Sequence, residues 1–305
     1  MRVVFIGQSG RFSIATLKAI SRSHDVVGIV ESAPRGYNPS SQRSGIGCVL
    51  TNLRKCMQRE LSLSANARRV GCDYMFFSKA HVDELDRFLT NLAPDVGCIA
   101  SMSQLLPERA LGVPRHGFVN LHPSLLPKYR GPNPLFWQYY DMDLEGGVTV
   151  HFVDKGEDTG DIIRQESFAI TLGMPIDDAW SVALEKGPEA LLRVLDDIDA
   201  GLVTREPQAH LPCPRRARRV IPGEPVIEWE AWPLERVYHV LTGGLPYGVG
   251  LDRVPPILRR LRWRVIGMER QITRDRPGAL RFGVRGPYFV HSEGRIRLRM
   301  SLIQH

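Results

Sequence analysis

The chain has 305 residues, 43% of them hydrophobic and 24% charged, with a formal net charge of +7. That is globular composition with apolar material for more than one core, which excludes a disordered or collagen-like chain. No apolar run approaches the roughly 20 residues that span a bilayer, so no membrane-crossing helix is expected.

Met1 to Ile6 lacks the long apolar stretch and cleavage site of a signal peptide and reads as a buried first strand. Gly7-Gln8-Ser9-Gly10 breaks it, and Phe12–Ile20 sets Ile14, Leu17 and Ile20 on one helical face. The turn lacks the Gly-x-Gly-x-x-Gly spacing of a dinucleotide site, although its backbone N–H groups suit an anion at a helix N-terminus. A second strand is expected at Asp25–Val30, a loop over 32–47, and helical stretches around Val49–Leu61 and His81–Leu92. Apolar strands follow at Asp95–Ala100 and Gly117–Leu121, with a hairpin of Gly147–Val153 and Ile162–Gln165. Ile176–Leu195 has the pattern of a long amphipathic helix. Strands alternating with helices predict a parallel, doubly wound Rossmann-like sheet over residues 1–205.

Composition shifts at 206–222, where Pro207, Pro212, Pro214 and Pro222 alternate with Arg215, Arg216, Arg218 and Arg219. This segment reads as a linker to a second domain at 223–305. There Val226–Trp229 and a helix around Pro233–Leu241 precede short β-like runs at Trp263–Gly267, Ala279–Val284, Tyr288–His291 and Arg295–Leu302. A small β-barrel is the simplest account. From Glu206 to His305, 18 arginines stand against nine acidic residues. That surplus fits a polyanion such as RNA, or an arginine-rich solvated surface. The five cysteines, Cys48, Cys56, Cys72, Cys98 and Cys213, include no pair with the two-residue gap of zinc or redox sites. Cys98 reads as a core residue, the compartment as reducing and cytoplasmic, and no metal is expected.

The chemistry concentrates in Asn120-Leu121-His122-Pro123-Ser124-Leu125-Leu126-Pro127-Lys128-Tyr129-Arg130-Gly131. Asn120 and His122 fall on one side of a strand at its carboxyl end, where open α/β sheets bind ligands. The second piece is the acidic turn Asp154-Lys155-Gly156-Glu157-Asp158-Thr159-Gly160-Asp161. An amide, an imidazole and a carboxylate suit acyl transfer to an amine without a serine or cysteine nucleophile. Asn120 and a protonated His122 would donate to the developing oxyanion, and Asp158 would keep His122 charged and take the amine proton. Taken singly, each residue is also a common turn former or structural hydrogen-bonding group.

NLHPSLLPKYRG, followed 36 residues after His122 by Asp158 in HFVDKGEDTGDII, resembles the signature of the 10-formyltetrahydrofolate-dependent formyltransferases. That family includes glycinamide ribonucleotide transformylase, methionyl-tRNA formyltransferase and the amino-sugar N-formyltransferases. The resemblance implies Asn120, His122 and Asp158 as catalytic residues and 10-formyltetrahydrofolate as co-substrate. It also implies a folate pocket with Ser103, Gln104 and Leu106, from PDVGCIASMSQLLP, on one wall and Lys155, Gly156 and Glu157 on the other. VIEWEAWPLERVYHVLTGGLPYG and PGALRFGVRGPYFVHSEGRIRLRM resemble the OB-like carboxyl-terminal domain of the tRNA enzymes, while residues 32–80 match least.

The acceptor is less determined. The tRNA enzymes usually continue the motif with R-G-A-A-P-I, whereas Gly131-Pro132-Asn133-Pro134-Leu135-Phe136-Trp137 follows here, and an aromatic at Trp137 is more like the amino-sugar branch. Phe136 and Trp137 can equally be the packed face of a helix. Arg35, Arg43, Arg54, Lys55 and Arg59 make residues 32–59 basic, but not in the pattern of the tRNA enzymes' insertion loop. The expected acceptor is a small primary amine, an amino sugar or nucleotide-linked sugar. The alternatives are methionyl-tRNA, hydrolysis of the formyl donor, and a folate- or RNA-binding protein without turnover.

Overall fold

The computed structural model describes residues 1–34, 36–37, 59–208, 215–221, 223–224, 227–259 and 261–301. By compactness the chain forms two interleaved units. One comprises Met1–Arg130, Gly147–Glu166 and Val182–Pro214, the other Gly131–Gly146, Ser167–Ser181 and Arg215–His305.

The Rossmann-like sheet contains β1 (Arg2–Gly7), β2 (Asp25–Ser32), β3 (Asp73–Phe77), β4 (Val96–Ala100), β5 (Phe118–His122), β6 (Glu145–Phe152) and β7 (Ile162–Ala169). Their order is β3-β2-β1-β4-β5-β6-β7. Strand β1 pairs in parallel with β2 and β4, and β4 with β5. Val3, Val4, Phe5 and Ile6 are wholly buried, as a strand covered on both faces requires.

The helices α1 (Arg11–Ser23), α2 (Leu63–Val70), α3 (Val82–Leu92), α4 (Glu108–Leu111), α5 (Pro134–Asp141) and α6 (Ile176–Asp199) follow in chain order. Helix α3 buries Leu85, Leu89 and Leu92, one helical stripe, in a cluster with Val4, Ile6 and Phe118. Each such side chain contributes about 1.5–3 kcal/mol. A Cβ on Gly7 would lie 2.5 Å from the Ala100 carbonyl oxygen, and Ser13 Oγ donates to that oxygen at 2.8 Å. The first glycine of the turn is therefore needed to let α1 close on the end of β4.

The sheet is not wholly parallel. Strand β6 runs antiparallel to β5, pairing Asn120 with His151 and His122 with Thr149. The link from His122 to Glu145 holds only the short α5, and the chain re-enters from the end it had just left. Strand β3 went unanticipated because it is an edge with Tyr74 and Phe76 more than a third exposed, which weakens the apolar signal. Of the helical stretch expected at Val49–Leu61, only Arg59–Leu61 is described, as one 3₁₀ turn. Cys48, Cys56, Cys213 and the basic residues Arg35, Arg43, Arg54 and Lys55 lie outside the described residues. Cys98 is buried with a free thiol whose pKa burial pushes up. No helix among the described residues is long and apolar enough to cross a membrane.

The second unit contains α7 (Leu234–Gly244), β8 (Arg262–Arg270), β9 (Leu280–Gly283), β10 (Gly286–His291) and β11 (Gly294–Ser301). The strands form a four-stranded antiparallel sheet in the order β8-β11-β10-β9, the barrel-like element expected of the OB-like domain. Trp229 packs on it with its ring centroid 5.1 Å from that of Phe289. In the same unit Leu135 and Tyr139 of α5 cluster with Ile170, Ile176 and Ala179.

His239 of α7 is wholly buried and stacks on Tyr139 at 4.6 Å and 3°. Its Nδ1 accepts the Gly173 N–H at 3.1 Å, while Nε2 has no hydrogen-bond partner among the described residues. Desolvation pushes its pKa down from 6.5 to about 4. A depressed folded-state pKa makes the unfolded chain bind the proton first, so stability is full above 6.5 and is lost as pH falls towards 4. The loss should be on the order of 3 kcal/mol. Thermal unfolding of the second unit followed against pH should show this slope, and His239→Phe should flatten it.

Candidate active site

Strand β5 ends in Asn120, which is half-buried, and His122, which is 5% exposed. Pleating sends both to one side. The partner carboxylate arrives on the turn after β6. There Asp154 Oδ1 accepts the Gly156 N–H at 2.9 Å and the Thr159 hydroxyl at 2.6 Å, curling the chain back. Asp158 takes a left-handed φ of 54°, a turn conformation that aspartate adopts more readily than most non-glycine residues. Two residues on, a Cβ at Gly160 would sit 1.9 Å from the Phe152 carbonyl oxygen. Glycine is thus required where the turn crosses the end of β6.

The three predicted residues converge. Asn120 Nδ2 donates to Asp158 Oδ1 at 3.2 Å, and Asp158 Oδ2 lies 3.6 Å from His122 Nδ1. His122 Nε2 is 3.0 Å from the Tyr129 carbonyl oxygen and must donate to it. The neutral imidazole therefore presents an unprotonated Nδ1 to Asp158. Burial lowers the His122 pKa below 6.5, an effect that the Asp158 charge opposes and the neighbouring His151 reinforces. At neutral pH the imidazole is uncharged, which corrects the expectation of a resting imidazolium. Asp158 is close enough to favour the charged form but does not overcome desolvation.

His151, which sequence reasoning missed, completes the cluster. Its Nδ1 donates to the Phe152 carbonyl at 2.7 Å, leaving Nε2 to accept from Asn120 Nδ2 at 3.0 Å. Both amide hydrogens of Asn120 are therefore engaged, one by His151 and one by Asp158. The only available sequence signal was a histidine amid the apolar alternation of β6, which by itself reads as core.

The residues assigned to the folate pocket divide. Ser103 and Gln104 follow β4, at the switch point where the strand order reverses between β1 and β4. Ser103 Oγ donates to the Ala33 carbonyl at 2.7 Å and accepts from Gln8 Nε2 at 3.1 Å. Gln104 Nε2 donates to the same carbonyl at 3.0 Å, while its buried Oε1 has no partner among the described residues. Leu106 is partly buried and packs against the core cluster of Val4, Ile6 and Phe118. Lys155 is exposed and paired with Glu108. A Cβ on Gly156 would collide with Thr159 Oγ1, and Glu157 is half-buried. Among the described residues no group of His, Cys, Asp and Glu is arranged to hold a metal ion.

Residues 1–195 match the family model described as formyl transferase. The methionyl-tRNA formyltransferase of Pelotomaculum thermopropionicum is 28% identical over 100% of this chain and 91% of its own length. That of Geotalea uraniireducens is 31% identical over 81% of this chain and 74% of its own. In fold, the chain is similar to an N-formyltransferase from Helicobacter canadensis solved with folinic acid and dTDP-3-aminofucose. The TM-score is 0.65 at 15% identity, over 98% of each chain.

Because the Asp158 charge raises the His122 pKa, Asp158→Asn should move it further down. An imidazole NMR titration should place His122 below 6.5 in the native protein and lower still in the variant. A value above 6.5, or an upward shift, would contradict the electrostatic account.

Proposed function

The chain belongs to the formyl transferase family, and on that premise we propose that it transfers the formyl group of 10-formyltetrahydrofolate to a primary amine at Asn120, His122 and Asp158. The observation that carries this reading is the Asp158 carboxylate standing 3.2 Å from the Asn120 amide nitrogen and 3.6 Å from His122 Nδ1. The amine attacks the formyl carbon, an oxyanion forms, and the amine nitrogen must shed a proton. Neutral His122 accepts that proton at Nδ1, where the Asp158 carboxylate stabilises the imidazolium, and returns it to the departing folate nitrogen. With Asp158 drawn to the new cation, its hold on the Asn120 N–H loosens and that hydrogen serves the oxyanion. Atoms balance: one formamide and one tetrahydrofolate leave, and the imidazole is neutral again.

Ser103, Gln104 and Leu106, with Lys155, Gly156 and Glu157, are proposed as the walls of the folate pocket. The buried, unpartnered Gln104 Oε1 supports this, since a pteridine offers N–H donors to such an acceptor. Lys155 and Gly156 would contribute through their backbone.

For the acceptor we propose a small primary amine, on an amino sugar or nucleotide-linked sugar, handled in the cytoplasm. The departure at residues 131–137 from the R-G-A-A-P-I continuation supports it. Trp137 supports it only indirectly, because the side chain is 2% exposed and its Nε1 donates to the Arg218 carbonyl at 2.6 Å. Phe136 packs on Tyr247 at 4.9 Å. These aromatics shape α5 rather than touch a ligand.

A specific observation favours methionyl-tRNA as the second reading. On one face of the second sheet Arg264 pairs with Arg299, and Arg297, Tyr288 and Arg281 lie in register. Such a row suits a phosphate backbone.

Turnover is read from the absorbance of the deformylated folate. Asn120→Ala, His122→Ala and Asp158→Ala should each lower kcat by about 10²–10³-fold, with donor binding within about threefold. A variant with near-normal turnover would remove that residue from the mechanism. Native activity should hold from neutral pH down to 6.5 and fall only below it, as His122 protonates. With an amino sugar and charged initiator tRNA offered separately, the first should be formylated. Formylation of the tRNA alone, with binding that weakens steeply with salt, would instead establish the second reading.

A further inference from the structure

Asp158 sits in a left-handed turn, and a side chain from outside that turn bonds its backbone. That side chain is residue 208, within the proline-rich stretch that composition marks as a linker. Gln208 is 9% exposed. Its Nε2 donates to the Asp158 carbonyl at 2.9 Å and to the Gly160 carbonyl at 2.7 Å. Its Oε1 accepts from Arg130 Nε at 3.0 Å and from Arg130 Nη2 at 2.6 Å. A backbone bridge between Ile162 and Glu206 fastens the segment two residues earlier.

We propose that Gln208 is a positioning residue for the transfer reaction, a buried clamp that sets the distance between Asp158 and His122. Arg130 directly follows Tyr129, whose carbonyl holds His122 Nε2. One amide therefore ties the segment that orients the imidazole to the segment that presents the carboxylate. Both donor hydrogens are spent on the Asp158 turn and the acceptor oxygen on the Arg130 guanidinium. A glutamate would keep the guanidinium but lose both donors and set a charge against two carbonyls. Alanine would leave the two carbonyls and the guanidinium without their partner.

This inference rests on the formyl-transfer reading, and the experiment separates the two. Gln208→Ala and Gln208→Glu should each lower kcat by about 10–100-fold, the cost of a displaced catalytic group, with KM for 10-formyltetrahydrofolate within about threefold. The acid limb of the kcat–pH profile should move to lower pH, because an Asp158 that has drifted away no longer raises the His122 pKa. Arg130→Ala combined with Gln208→Ala should cost no more than the worse single variant, as expected of one coupled unit. Unchanged kcat in both Gln208 variants would overturn the proposal. So would lost kcat with an unmoved acid limb and additive effects, the signature of a merely structural role. Asp158→Asn is the control. If it stays active, the formyl-transfer reading itself fails; if it is inactive while the Gln208 variants behave as native, only the clamp fails.

Discussion

The contact on which the rest depends is that of the Asp158 carboxylate with the end of β5. One oxygen accepts from the Asn120 amide and the other faces His122. Neither residue alone would define chemistry. An amide at a strand end is a common hydrogen-bonding group, and an imidazole fixed by the Tyr129 carbonyl could be purely structural. The carboxylate joins them into one charge-coupled unit, and much of the surrounding sheet can be understood as the means of delivering it. The antiparallel β6 returns the chain to the place where β5 ends, and the following turn reverses on Asp154 to lower Asp158 onto the site.

Burial sets the charge state of that contact. In water an imidazole beside a carboxylate would be charged more often than not at neutral pH. Here desolvation outweighs the carboxylate and leaves the ring neutral. A resting base beside an anion that stabilises its protonated form is well matched to a reaction in which a proton leaves an amine and returns to a leaving nitrogen. The same low-dielectric surroundings explain why both amide hydrogens of Asn120 are partnered. Unpaired polar groups there would be costly, and both amide hydrogens have acceptors.

Much of this was legible in the sequence, for identifiable reasons. Asn120 and His122 could be placed because a short apolar strand with a proline-stiffened exit specifies both the face and the end of the sheet. The acidic, glycine-bearing turn marked Asp158. His151 was not legible, because its membership depends on the antiparallel register that sets it opposite Asn120, and alternation reports a strand but not its direction. Gln208 was hidden for a related reason. Prolines and arginines mark the segment as a connection, while its hydrogen bonds reach residues 50 and 78 positions away. Of the two readings of Trp137 the packed helix face holds, since the ring is buried and its Nε1 donates to the Arg218 carbonyl.

In the proposed site the reacting carbonyl sits among Asn120, His122 and Asp158. A crystal structure of the protein with a bound 10-formyltetrahydrofolate analogue tests it directly. The formyl oxygen should lie within hydrogen-bond reach, about 3 Å, of the Asn120 amide nitrogen, with the pteridine against Ser103 to Leu106. A well-ordered folate whose formyl group points away from that carboxylate, or which occupies another cleft, would contradict it.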